Sequence, residues 1–278
     1  MIVYSADSQM RRPGQLARAM VRDLAQAREL SWRLFVRDVS ALYRQSVLGV
    51  LWSFAPPIVT ALIFILLQQA DVLNLSQTSM PYPVYVLTGT ILWQVFTESL
   101  NAPLRSAKAS QSLLVRVNFP REALIVSAGL TVLFNLLIKV VVLAGLFLLF
   151  GVPLTWGVLA AFVPVLMLVF LGIGAGMLLT PVGMLYSDVT AALPTLTQIL
   201  FFLTPVVYAP PQTFPLSLIV ALNPVSPLLI AARDLAVTGE LNNPVAFLLA
   251  SALALLLLLA GWLLYRISMP IVIERVGA

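Results

Sequence analysis

The stretch LIVSAGLTVLFNLLIKVVVLAGLFLLF, residues 124–150, decides the class of fold. Its only charged residue is Lys139. At a rise of 1.5 Å per residue, a helix of this length crosses the hydrocarbon core of a bilayer, which is about 30 Å thick. So long an apolar run is typical of a transmembrane helix. The stretch therefore predicts a membrane protein.

The composition of the whole chain extends this prediction. Of its 278 residues, 60% are hydrophobic and only 10% are charged, whereas soluble domains carry about 25% charged residues. We place six spans at residues 50–67, 84–101, 124–150, 158–179, 193–208 and 245–264. The sequence therefore predicts an all-α polytopic membrane protein with six transmembrane helices. A soluble enzyme and a soluble DNA-binding domain are excluded.

Two segments outside these spans are also predicted to be helical. Residues 16–43 interleave apolar residues and arginines at helical spacing, which is typical of an amphipathic helix in the membrane interface. Between spans five and six, prolines leave two apolar pieces, 214–222 and 227–237, that are too short to span. We expect a re-entrant helical hairpin in the outer leaflet. For residues 16–43 the alternative is a solvated helix. For the segment between spans five and six, the alternative is a loop packed on the outer rim.

The basic residues predict an orientation. With the N-terminus inside, 14 of the 16 Lys and Arg residues lie on the inner side, while Arg233 lies outside and Lys139 lies within a span. Cytoplasmic flanks of membrane proteins are enriched in Lys and Arg. We therefore expect both termini in the cytoplasm. The predicted domains are a cytoplasmic N-terminal segment, a six-span membrane domain and a cytoplasmic tail, at 1–48, 49–266 and 267–278.

Two predicted spans carry polar stripes at membrane depth. Positions 90, 94, 97, 98 and 101 share one helical face of the second span, and positions 127, 131, 135 and 139 recur along the third. Polar residues at this depth usually face a bundle interior or a hydrated cavity. The stripes predict a conduit or subunit interface, with interhelical hydrogen bonding as the alternative. The predicted lining residues are Gln94, Glu98, Asn135 and Lys139.

An ion pair between Glu98 and Lys139 is not expected. Glu98 lies about 5 Å from the inner end of its predicted span, whereas Lys139 lies about 22 Å from the inner end of its own.

The residue types that are missing exclude several chemistries. Without Cys or His, the chain offers no thiolate metal site, no cysteine nucleophile and no histidine general base. No P-loop motif occurs, so nucleotide binding by that route is excluded. An intramembrane aspartyl enzyme would need two Asp residues at membrane depth, and only Asp188 lies near a span end. A channel is disfavoured because no charged rings or filter-like loops are evident. We therefore predict no catalytic residues and no metal site in this chain.

Five motifs resemble the permease subunits of ABC-2-type exporters of polysaccharides such as O-antigen and teichoic acid. They occur in order within about residues 28–266, as RDVSALYRQSVLGVLWSFAPPIVTALIF (37–64), VRVNFPREAL (115–124), YSDV (186–189), LTPVVYAP (203–210) and LNPVSPLLIAARD (222–234). One departure occurs at residues 185–189, where LYSDV stands in place of R-Y-x-D-V. A basic contact is missing there, so this loop is assigned no head-group role.

The resemblance implies a homodimer with two cytoplasmic P-loop ATPase subunits, which bind ATP and Mg²⁺ while this chain holds no cofactor. It implies export of a polyprenyl-diphosphate-linked glycan across a bacterial inner membrane. The alternative is an ABC-2 permease for another amphiphile, a drug or a lipid. Carried onto this sequence, the site residues are Arg116, Val117, Phe119, Pro120, Arg121 and Glu122 for ATPase coupling, Arg33, Arg37, Tyr43 and Arg44 near lipid head groups or the ATPase, and Pro205, Tyr208 and Phe214 at an outer gate.

Overall fold

A computed structural model describes residue 20 and residues 22–44, 55–70, 80–117, 119–152, 156–211 and 213–277. Within these ranges every regular element is a helix, which confirms the predicted all-α fold. The helices are α1 (Arg28–Arg44), α2 (Ala55–Gln69), α3 (Tyr82–Ala109), α4 (Gln111–Arg116), α5 (Glu122–Leu149), α6 (Gly157–Leu185), α7 (Ser187–Leu203), α8 (Leu216–Leu222), α9 (Val225–Val237) and α10 (Pro244–Gly277). Residues 22–26 add a short helical stretch before α1.

Three helices, α5, α6 and α10, are long and apolar enough to cross a bilayer. They cover the third, fourth and sixth predicted spans. Within the described residues the number rises to four if the bent pair of α8 and α9 is taken as one broken span. α3 has 28 residues but carries a polar stripe. α2 and α7, with 15 and 17 residues, are shorter than the roughly 20 residues that a span needs. The start of the first predicted span, residues 50–54, lies outside the described residues, and the six-span arrangement stays a prediction.

α6 is the central helix, and it packs against α3, α9 and α10. Glycines let these backbones approach closely. A Cβ at Gly172 would lie 2.5 Å from the Cβ of Ser99 on α3, and one at Gly174 would lie 2.6 Å from the backbone of Leu257 on α10. A Cβ at Gly261 of α10 would in turn lie 2.4 Å from the Gly174 carbonyl oxygen. Small residues at such contacts are typical of helix pairs in membranes.

The outer faces of the bundle are apolar. Large side chains such as Leu62 on α2, Leu137 on α5, Leu196 on α7 and Leu248 on α10 are exposed. Soluble monomers rarely expose contiguous apolar patches larger than a few hundred Å². These faces therefore fit a lipid surrounding.

α1 packs along α5. Leu34 is buried, and the ring of Phe35 lies 6.0 Å from that of Phe134 on α5. Arg33 lies on the exposed side of the same helix. α1 thus has one buried and one charged face, while its position in a membrane interface stays a prediction. At the other end of the chain, the predicted tail from residue 267 continues α10.

The predicted hairpin is a pair of helices, α8 and α9, that meet at an angle of 90°. Asn223 stabilises the bend, because its Oδ1 accepts a hydrogen bond of 3.0 Å from the Val225 amide and its Nδ2 donates one of 2.7 Å to Thr204 Oγ1. α9 packs firmly against α6, with Leu228 fully buried. α8 exposes most of its apolar side chains, Leu222 among them. A position in the outer leaflet stays a prediction.

Candidate functional site

Three of the four residues predicted to line a conduit meet between α3 and α5. The Lys139 ammonium forms an ion pair with the Glu98 carboxylate. Asn135 Nδ2 donates a hydrogen bond of 3.5 Å to Glu98 Oε2. The Lys139 side chain is 1% exposed and that of Glu98 is 26% exposed. The two stripes are therefore joined by an ion pair that is buried on the lysine side.

The prediction that Glu98 and Lys139 do not pair is wrong. It placed the inner end of the second span at residue 101, but α3 continues through Pro103 to Ala109. Glu98 therefore lies about 16 Å from the end of α3, and Lys139 lies about 26 Å from the start of α5. The remaining difference in depth is within the combined reach of a lysine and a glutamate side chain.

Two other polar residues of this part of α3, Thr97 and Asn101, bond to their own helix. Asn101 Nδ2 donates a hydrogen bond of 2.7 Å to the Thr97 carbonyl, and Thr97 Oγ1 donates one of 3.1 Å to the Gln94 carbonyl. The Oε1 atom of Gln94 has no hydrogen-bond partner among the residues that the structure describes. Gln94, Thr97, Glu98 and Asn101 are all partly buried, and together they form the polar face of α3.

A second cluster lies at the predicted cytoplasmic end, where Arg266 of α10 joins two carboxylates. Its Nη2 lies 2.6 Å from Asp23 Oδ2, and its Nη1 donates to Glu122 Oε1. The three side chains are at most 10% exposed. One guanidinium thus links the short helical stretch before α1, the start of α5 and the inner part of α10. We call these three residues the Arg266 cluster.

The residues predicted for ATPase coupling run from the end of α4 to the start of α5, and their burial increases along the chain. Arg116 and Val117 are exposed. Phe119 is half-buried and packs against the main hydrophobic core. Glu122 is buried in the Arg266 cluster. The other two, Pro120 and Arg121, are half-buried. The exposed end of the segment is therefore the part open to a partner, and the contact itself stays a prediction.

The residues predicted near lipid head groups lie on α1. Arg37 Nη2 donates a hydrogen bond of 3.2 Å to Ser110 Oγ, which connects α1 to the junction between α3 and α4. Arg33 forms an exposed ion pair with the glutamate one turn before it. Tyr43 and Arg44 end the helix, and their side chains lie outside the described residues. The head-group contacts stay a prediction.

Two of the three predicted gate residues, Pro205 and Tyr208, lie in a segment between α7 and α8 that is not helical. We call residues 204–208 the unwound segment. Arg233 of α9 binds it, because its Nη1 donates a hydrogen bond of 2.7 Å to the Pro205 carbonyl and its Nη2 donates to the Val206 carbonyl. Arg233 is 2% exposed. The third predicted residue, Phe214, is exposed and lies outside this segment.

Three residues that contact the unwound segment are not among the predicted site residues. The sequence places Arg233 on the outer side and assigns it no role, although a lone arginine in an apolar stretch is itself a signal of a functional site. Tyr82 donates a hydrogen bond of 3.1 Å from its hydroxyl to the Val207 carbonyl, and Tyr85 donates one of 2.9 Å to the Tyr208 carbonyl. Nothing in the local sequence marks the two tyrosines, because their partners lie more than 120 residues further along the chain.

The fold and its surface define the class of the protein. Three helices that are long and apolar enough to cross a membrane, apolar outer faces and a charged pair between two helices are the properties of a multi-pass helical membrane protein. In the part of the chain that the structure describes, no group of three or more acidic side chains is arranged to hold a metal ion.

A family model described as "ABC-2 type transporter" matches residues 29–236. This match covers about three quarters of the chain, and the chain belongs to that family of transporter membrane subunits. The family assignment made from the sequence motifs is thereby confirmed.

Relatives of known function extend the similarity. The chain is 28% identical over 246 residues to the O-antigen export system permease protein RfbA of Myxococcus xanthus, a match covering 87% of this chain and 93% of the relative. It is 25% identical over 217 residues to a protein of the same name from Klebsiella pneumoniae, with 74% and 79% covered. The polysialic acid transport protein KpsM of Escherichia coli is 25% identical over 246 residues, with 84% and 91% covered.

Proposed function

We propose that this chain is the membrane subunit of a bacterial exporter that moves a polyprenyl-diphosphate-linked polysaccharide, such as an O-antigen, across the cytoplasmic membrane. A separate P-loop ATPase subunit binds ATP and Mg²⁺ and drives the export. The observation that carries the proposal is the set of relatives, which are named for polysaccharide export or transport. Their matches extend over 79% to 93% of their lengths.

The proposed subunit has six spans, two cytoplasmic termini and an interfacial α1, and it works as a homodimer with two ATPase subunits. The placement of 14 of the 16 basic residues on one side supports this orientation. The polar face of α3 supports the dimer, because polar groups at membrane depth are more stable against water or another subunit than against lipid.

The same face is the proposed wall of the transport path. Gln94 and Glu98 are partly exposed on it and are able to bond the hydroxyl groups of a passing sugar. Lys139 and Asn135 lie behind Glu98 and hold its carboxylate in place. Lys139 is too buried to touch a substrate in this conformation, so its role is to position Glu98.

The coupling contact is proposed at Arg116 and Val117, which are exposed on the predicted cytoplasmic end. A guanidinium beside an apolar side chain suits a groove with acidic residues on the ATPase subunit. Two routes lead from this contact to other helices of the subunit. One passes through Glu122 and Arg266 to α10, and the other passes through Ser110 and Arg37 to α1.

Deletion of the encoding gene in its native host tests the function. We expect lipid-linked glycan to accumulate inside the cell and to disappear from the surface, with both effects reversed by the intact chain. Normal glycan export by the deletion strain would refute the proposal. Retention of another amphiphile in that strain would instead support the alternative cargo.

Single cysteines test the orientation, because the native chain has none. Glu240 and Arg275 are both exposed and lie at opposite predicted sides. An impermeant thiol reagent should label Glu240→Cys in intact cells and Arg275→Cys only after permeabilisation. The reverse pattern would invert the topology.

A further inference from the structure

The unwound segment is bound to the rest of the subunit through its own carbonyl groups. Four consecutive carbonyls accept hydrogen bonds from side chains of other helices, namely Pro205 and Val206 from Arg233, Val207 from Tyr82, and Tyr208 from Tyr85. We propose that Arg233, Tyr82 and Tyr85 are positioning residues that form a latch, which holds this segment shut at the outer end of the transport path and releases it during export. This inference rests on the proposed function.

The donors stand on firmly packed helices, whereas the segment leads into a loosely packed one. α9, which carries Arg233, and α3, which carries both tyrosines, pack against the central α6. Leu228 and Leu229 of α9 are fully buried. α8, which follows the segment, has mostly exposed side chains. Val206 and Val207 of the segment are buried in the main hydrophobic core. Release of the segment therefore requires the latch bonds to break and these two side chains to leave their packed positions, while α3 and α9 stay in place.

The bonding pattern explains how release is possible. A carbonyl group in apolar surroundings costs free energy unless a donor reaches it. Among the latch bonds, all four acceptors lie on the segment and every donor is a side chain outside it. Water and the hydroxyl groups of a glycan are donors of the same kind. When the path opens and fills with water, water or glycan hydroxyl groups therefore donate to these carbonyls in place of the latch side chains, which stabilises the released segment.

Arg233 is suited to a bond that forms and breaks. It makes no ion pair within the described ranges, and its guanidinium carbon lies 3.8 Å from the centre of the Tyr85 ring. The neighbouring Asp234 accepts a hydrogen bond of 2.8 Å from Asn242 instead. The Nε atom of Arg233 is buried without a hydrogen-bond partner in the part of the chain that the structure describes. A purely structural cap would not need a buried charge, since burying one costs free energy. The spare donor is available to another acceptor when the segment moves.

Gly89 of α3 leaves the space that the Arg233 guanidinium and the unwound segment occupy. A Cβ at this position would lie 1.6 Å from Arg233 Nη2 and 2.1 Å from the Val206 carbonyl oxygen. Both the guanidinium and the segment therefore need the absence of a side chain here. Gly89→Ala should open the latch while leaving every hydrogen-bonding group of the latch in the chain.

Thiol labelling of Val206→Cys tests the closed state. Val206 is fully buried, and the native chain contains no cysteine. The measurement uses intact cells that carry the whole transporter with a catalytically inactive ATPase subunit and an impermeant thiol reagent. Tyr82→Phe with Tyr85→Phe should raise the labelling rate about 25-fold, at about fivefold for each hydrogen bond lost. Gly89→Ala should also raise it.

Tyr265→Phe is the matched control, because it removes a buried tyrosine hydroxyl that has no hydrogen-bond partner among the described residues. It should leave the labelling rate unchanged. An unchanged rate in the double tyrosine variant would overturn the latch, and this result does not depend on any glycan.

A comparison between resting and exporting cells tests the release. With otherwise native latch residues, labelling of Val206→Cys should be faster when the ATPase subunit is active than when it is inactive. Equal slow rates in cells that export glycan would show a permanently docked segment and would refute the latch as a gate. If glycan export does not depend on this chain at all, the proposed function fails, whereas the resting-cell experiment still reports on the four bonds.

Discussion

Replacing Arg266 by Met should strongly destabilise the predicted cytoplasmic end of the subunit. The single guanidinium contacts both Asp23 and Glu122, and all three side chains are at most 10% exposed. Met keeps an unbranched apolar stem but leaves two buried carboxylates without their cation. Breaking one buried ion pair costs about 3–5 kcal/mol. We therefore expect the free energy of unfolding to fall by at least about 3 kcal/mol.

Titration with sodium dodecyl sulfate in mixed micelles, followed by circular dichroism, measures this change. Arg33→Met is the matched control, because its ion pair with Glu29 has side chains 74% and 79% exposed and should be worth at most about 1 kcal/mol. Adding Asp23→Asn and Glu122→Gln to Arg266→Met should recover part of the loss, since neutral side chains are cheaper to bury. The reasoning is refuted if Arg266→Met costs no more than Arg33→Met, or if the triple variant recovers nothing.

Three further predictions concern other contacts. Glu98→Gln should lower the free energy of unfolding by about 3 kcal/mol, because it leaves Lys139 buried without its carboxylate. Adding Lys139→Met should restore most of that free energy in the same titration, and no recovery would contradict the pairing. Arg116→Glu should leave membrane insertion intact and lower the affinity for the ATPase subunit, measured by co-purification, about 30-fold. Unchanged co-purification would show that the contact lies elsewhere. Gly174→Leu should lower the free energy of unfolding by about 1–3 kcal/mol, whereas Gly145→Leu should change it little because Gly145 has open space around it. Equal changes would argue against the close contact of α6 and α10.

The sequence predicted the helical class, the family and the bent hairpin because these depend on local patterns. It misjudged the depth of Glu98 for a physical reason. Hydropathy marks where a chain leaves the hydrocarbon, and the apolar pattern weakens at residue 101. The backbone hydrogen bonds of α3 continue past that point, through Pro103 to Ala109. The end of an apolar stretch is therefore a poor estimate of the end of a helix.

Local sequence patterns could not predict the latch or the Arg266 cluster. Arg233 binds residues 28 positions earlier in the chain, and Arg266 binds Asp23 from 243 positions away. These groups meet through packing between helices that are distant in the chain: α3 and α9 both pack against α6, while α1 packs against α5 and α10 contacts α4. By contrast, the polar stripes were found from spacing alone, since a helix repeats its face every three to four residues.

The polar face of α3 also affects the life of the subunit before it is assembled. If this face packs against another subunit or a hydrated path, as proposed, a lone copy in the bilayer leaves Gln94 and Glu98 without those hydrogen-bonding surroundings. A lone copy therefore differs from an assembled one in the surroundings of this polar face. We therefore expect the chain to be degraded faster when it is produced without its partners, so that the cell adjusts the stoichiometry of the complex through protein turnover.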